Sequence, residues 1–165
     1  MTDVRFGLTK PISLAIAAVS ATILAASSAH AASVKEIFEK YNLLGTFAWD
    51  CSRPPSGDNN WYYVHRLLDA DHVQRDLMTG PTTRQWVAII DRVVEAGPNE
   101  IEGTGTITGR INGRDLDTKP ASGVWHLDRD RLLQWEGTVD GDKVISSGRL
   151  VNSGFQLPWS NRCGG

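Results

Sequence analysis

The chain has 165 residues, about one domain by length, and its 41% hydrophobic and 22% charged content excludes an intrinsically disordered protein. The formal net charge of −2 argues against nucleic acid as a partner, because nucleic-acid binders carry a basic excess. Six Trp and 16 Gly are the unusual counts.

Residues 1–31 read as a secretory signal peptide. Arg5 and Lys10 form a basic start, residues 12–26 are apolar and uncharged, and Ala29-His30-Ala31 has the form of a signal-peptidase site. Cleavage after Ala31 predicts an exported chain, periplasmic or secreted, with residues 32–165 as a single domain. Arg5, Lys10 and Asp3 leave with the signal, so 15 basic and 18 acidic residues stay behind. No second apolar run of spanning length follows, so no membrane span is expected after cleavage. Cys51 and Cys163 are the only cysteines, and both lie in the exported part. An oxidising compartment makes a Cys51–Cys163 disulfide the expectation.

Ser33-Val34-Lys35-Glu36 is a capping box, and Val34, Ile37, Phe38 and Tyr41 follow at helical spacing. One short helix over residues 34–42 is predicted. The period then changes to two, with Phe47, Trp49 and Cys51 on one face. Two Pro, one Gly and two Asn make residues 52–60 a loop. Strands are predicted over 61–68, 72–79 and 86–94. Residues 101–111 alternate most clearly. Ile101, Gly103, Gly105, Ile107, Gly109 and Ile111 take the inward face, and Thr104, Thr106 and Thr108 the outward one. Glycines at inward positions leave room for a large partner side chain or let a sheet bend. Asn112-Gly113 signals a hairpin. Residues 114–122 are polar and read as a loop. Strands are then predicted over 124–127, 132–139 and 144–151, and the tail is extended. About eight short strands without interleaved helices predict a mainly β fold. An up-and-down antiparallel barrel with one short N-terminal helix is the expected form, with a β-sandwich as the alternative.

Gly45-Thr46-Phe47, opening the first strand after a short helix, resembles the G-x-W start of the lipocalin and wider calycin families. Phe47 stands where the family has Trp, and Trp49 lies on the same face. The resemblance implies a secreted eight-stranded barrel holding a small apolar ligand. It also implies a basic residue late in the barrel covering the Trp position, for which Arg149 is the candidate. The middle-barrel T-D-Y signature of that family is missing here.

Three functional readings follow. The first is an exported binding module for a small hydrophobic or aromatic ligand, lined by some of Trp49, Trp61, Trp86, Trp125 and Trp135. Large rings spread over several strands can line a cavity or fill a small barrel. A ligand site of the usual kind needs about 300 Å3 or more. The alternative is a periplasmic inhibitor or protein-interaction module. Ser122-Gly123-Val124-Trp125 is similar to the S-G-x-x-Y loop of exported bacterial lysozyme inhibitors, with Trp125 one place early. The third is an enzyme using a polar hairpin cluster of His65, His72 and Asp76. A two-residue turn at Ala70-Asp71 would set His65 opposite Asp76, the His–carboxylate pair that acid–base chemistry needs. No nucleophile elbow, zinc-protease motif or nucleotide loop exists in the sequence, so no catalytic residue, metal or cofactor is expected. The expected partner is a small apolar ligand, with a protein partner under the alternative.

Overall fold

The computed structural model describes residues 32–111 and 113–164, and the predicted signal segment, residues 1–31, lies outside them. The described chain forms a closed antiparallel barrel of eight strands, not a two-sheet sandwich. The helix α1 (Val34–Lys40) opens on the capping box. Ser33 Oγ accepts from the Glu36 amide at 3.2 Å, and the Glu36 carboxylate accepts from the Ser33 amide at 2.8 Å. Val34, Ile37 and Phe38 are buried against Leu43, Phe47, Ile101, Leu127 and Leu132. The helix thereby plugs one end of the barrel, and Lys40 ties it to Glu95 at 2.6 Å.

The strands are β1 (Gly45–Ala48), β2 (Tyr62–Leu67), β3 (Val73–Met78), β4 (Arg84–Gly97), β5 (Glu100–Ile111), β6 (Arg114–Asp128), β7 (Arg131–Val139), β8 (Asp142–Ser146), β9 (Arg149–Leu150) and β10 (Ser160–Cys163). Consecutive strands pair from β1 to β9. The ring closes through β10, which pairs with β1 on one side and with the start of β7 on the other. The far half of β7 pairs instead with β8, so the β8–β9 hairpin hangs beside the closure. Cys51 and Cys163 are bonded, with Cα atoms 5.3 Å apart, so the disulfide staples the closing strand beside β1.

The predicted turns reappear with physical reasons. Asp140 (φ 53°) and Gly141 (φ 86°) connect the paired residues Val139 and Asp142. Two successive positive φ angles match the right-handed twist of a hairpin. Asn112 lies outside the described residues, but Ile111 and Arg114 pair on either side of the predicted turn. The loop over 52–60 is organised by Asn60, only 1% exposed. Its amide nitrogen donates to the Asp50, Arg53 and Pro54 carbonyls at 2.9, 3.0 and 3.1 Å.

Two expectations are corrected. Residues 114–122 are not a loop but the first half of β6, paired with β5 from Ile111 back to Thr104. Both faces of that stretch are largely wet, so the apolar alternation that marks a half-buried strand never develops. The ladder and the 2.9 Å Thr108–Thr118 hydroxyl contact hold it instead. The predicted strand over 144–151 is broken into β8 and β9 by a turn at Ser147 and Gly148, both at positive φ. In β5, Ile101 and Ile107 are buried and Thr108 is exposed as expected, while Thr104 and Thr106 are half-buried.

Candidate functional site

The glycines of β5 lie in a row with others. Gly103 pairs with Gly123 of β6, and Gly123 with Gly137 of β7. Three bare positions side by side hollow the barrel wall. The Trp125 ring lies on this row, close enough that a Cβ at Gly103 would meet it at 2.6 and 2.9 Å. The Gln134 amide covers the positions of Gly123 and Gly137 in the same way, at 3.2 and 3.1 Å.

Beyond the part filled by α1 lies a cavity of about 130 Å3. Trp61, Tyr63, Arg75, Trp86 and Trp125 line it, among aliphatic walls such as Leu77 and Ile107. The sequence expectation of several hundred Å3 is therefore too large. Trp125 and Gln134 lie across the bare glycine row and occupy part of the space it would have left open.

Arg75 is the unexpected wall residue. Period two along β3 puts Val73, Arg75 and Leu77 on the inward face, and all three are buried. Arg75 is 2% exposed. Its guanidinium carbon lies 4.4 Å from the Tyr63 ring centre, 5.1 Å from that of Trp125 and 5.7 Å from that of Trp86. Such cation–ring contacts offset part of the cost of burying the charge. Among the described residues, no carboxylate lines the cavity with it. Burial lowers its pKa to about 10, slightly offset by Tyr63, so it stays charged at neutral pH. Among the described residues, Arg75 Nε and Nη2 have no hydrogen-bond partner, and neither has the buried Trp125 Nε1. The sequence carried the signal, an arginine in phase with apolar neighbours, but gave it no role.

An uncompensated buried charge predicts its own cost. Replacing Arg75 by Met is expected to stabilise the ligand-free protein by about 1–3 kcal/mol, because desolvation outweighs the ring contacts. Urea denaturation at pH 7 measures this, and a clear loss of stability would show that the aromatic cage carries the charge without need of a counter-ion.

The predicted polar hairpin cluster does not assemble. His65 pairs with Arg75, and Asp76 with Val64, so His65 and Asp76 lie on opposite faces of the sheet. The connection is longer by one residue than a two-residue turn. The Leu68 amide donates to the His72 carbonyl at 3.0 Å, and the Asp69 carboxylate accepts from the Asp71 amide at 2.8 Å. A one-residue slip moves every side chain to the other face. Asp76 is 1% exposed, on the outer face, where Arg66, Arg84 and Gln74 donate to its carboxylate. His72 is held on the surface by Asp69 at 2.8 Å.

His65 faces inward at the helix-plugged end, edge-on to Phe38 with ring centres 5.5 Å apart. Its Nδ1 lies 2.7 Å from the Leu43 carbonyl. A carbonyl only accepts, so Nδ1 carries the proton and Nε2 has a bare lone pair. Burial foremost, then the Arg75 charge, lower its pKa to about 3, against the hydrogen bond to Leu43.

Of the five predicted aromatic liners, Trp61, Trp86 and Trp125 line the cavity. Trp49 does not line it and packs instead 5.2 Å from Trp61 and 5.7 Å from the exposed Phe155 between ring centres. Trp135 is the extra residue of a bulge opposite Val124 and Trp125, and it stacks on His126 at 4.7 Å instead. Ser122, Gly123, Val124 and Trp125 are not a loop but mid-strand in β6, and Trp125 is 8% exposed, so it offers no contact to a protein partner. Arg149 donates to the Gly154 carbonyl on the surface, while Arg162 of β10 is the residue paired with Phe47. Comparison with protein-family models, curated proteins and solved structures found no match.

Proposed function

We propose that this protein is an exported binding module that holds a small aromatic or hydrophobic molecule inside its barrel, on the lipocalin-like plan its first strand resembles. The observation that carries the reading is the cavity of about 130 Å3 walled by Trp61, Trp86 and Trp125. An apolar cavity of about 150 Å3 takes benzene, so the ligand body is one ring or a compact equivalent. The signal-like residues 1–31 and the disulfide support export into an oxidising compartment.

Three tryptophans in the wall make fluorescence a direct assay. Titration with toluene, indole and naphthalene is expected to give at least one saturable quench. The same titration of Gly103→Val should give none, because a side chain there meets the Trp125 ring at under 3 Å and displaces this wall of the cavity. Circular dichroism checks that the variant keeps its sheet. Absence of a saturable response to any of these probes, or to the acids named below, sinks the binding reading.

A further inference from the structure

We propose that the ligand is an acid, a small aromatic or alicyclic carboxylate whose headgroup is held by Arg75 and the indole nitrogen of Trp125. The proposal rests on the binding reading above and names the chemistry of its ligand. Two residues of the cavity wall, Arg75 and Trp125, carry unpartnered donors, and the bare His65 Nε2 beside them is neutral and supplies no counter-charge. Arg75 Nε and Nη2 and Trp125 Nε1 are all buried, all donors and all without an acceptor. A buried donor left unpaired is costly, and a buried guanidinium without a counter-charge more so. The missing group is therefore an acceptor, and a negative one.

Its shape follows from which nitrogens are free. Nε and Nη2 lie on one edge of the guanidinium, so their N–H bonds run side by side. That spacing matches the two oxygens of a carboxylate, the bidentate geometry for which arginine is suited. The other faces of the group are taken by the rings of Tyr63, Trp125 and Trp86. Among the described residues, no carboxylate of the protein supplies the anion. Asp76 is the nearest in sequence, and it lies on the outer face with Arg66, Arg84 and Gln74. The rest of the wall is mostly aliphatic and aromatic, Leu77 and Ile107 among it, with the uncharged polar side chains Ser122, Gln134 and Thr138 beside them, so the body of the ligand is hydrophobic. A cavity of about 130 Å3 favours a ring acid over a long-chain one.

The test compares pairs of the same shape. Benzoate, cyclohexanecarboxylate and octanoate are titrated beside benzamide, toluene and octanol, followed by Trp fluorescence and calorimetry. Benzoate is expected to bind at least about tenfold more tightly than benzamide, from hydrogen bonds to a charged group in a dry site. Arg75→Met should remove that preference. Trp125→Phe keeps a ring and loses the N–H, so it should lower the benzoate/benzamide affinity ratio severalfold. Octanoate binding more tightly than both ring acids would overturn the ring-acid class. Equal affinity for benzoate and benzamide, or a preference that survives Arg75→Met, would overturn the carboxylate proposal while toluene binding leaves the cavity reading intact. Should Arg75→Met not fold, the benzoate/benzamide ratio of the native protein and of Trp125→Phe decides. If neither acids nor hydrocarbons bind, both readings fall together.

Discussion

Replacing Cys51 and Cys163 with Ser is expected to lower stability by about 4–5 kcal/mol, the chain-entropy value for a loop of this size. The bridge spans a sequence separation of 112. It matters more than its loop length alone implies, because of where it sits. The closing strand β10 has only four residues, and only two residue pairs join it to β7. Against β1 it has three. Without the covalent link, the ring is held shut at that seam mainly by these few pairs and by the Arg162 side chain on the Asn42 carbonyl. Urea denaturation of the double Ser variant gives the energy. Hydrogen exchange of the Ser160–Cys163 amides should quicken more than that of β5. A loss below about 1 kcal/mol, far under the loop-entropy figure, would mean that the seam holds by itself.

Acid should destabilise the protein through His65. The ring is 5% exposed and its pKa falls from 6.5 to about 3 on folding. Below pH 6.5 the unfolded chain takes up a proton that the folded one refuses. The stability from burying neutral His65 is thus fully present above pH 6.5 and is lost as pH falls toward 3. The slope approaches about 1.4 kcal/mol per pH unit, and the total loss reaches about 3–5 kcal/mol. His65→Leu isolates the effect. At pH 8 it should be less stable than the native protein by about 1–2 kcal/mol, because the Leu43 carbonyl loses its donor. Between pH 6.5 and 4 its stability should fall less steeply, so the two curves converge or cross. Curves that stay parallel over that range would rule out His65 as the acid-sensitive group.

The acid sensitivity of His65 meets the buried charge of Arg75 at one place. His65 and Arg75 are cross-strand partners on the inward face, and the Arg75 charge is the second cause of the His65 shift. A carboxylate bound by Arg75 would offset that charge. The Arg75 charge on the cavity wall and the acid sensitivity of His65 are therefore one electrostatic system.

The residues themselves determined whatever depends on near neighbours. The Ser33–Glu36 box starts a helix because its bonds span three residues. The alternation from Ile101 to Ile111 picks a strand and its inward face because the pleat has period two. Asp140-Gly141 makes a hairpin through backbone angles available to those residue types. The cysteine pair followed from there being two cysteines and an expectation of export, and the barrel from strand spacing without interleaved helices. The tertiary structure decided whatever depends on distant partners. A three-residue connection in place of two sent His65 and Asp76 to opposite faces. A bulge turned Trp135 outward, while the glycines of three strands made a bed for Trp125. Residues 114–122 became a strand because β5 offered its edge, which no local pattern announces. Arg75 stood in phase with Val73 and Leu77 in the sequence. That it is a charge without a partner, caged by Tyr63, Trp86 and Trp125, required three other strands to close around it.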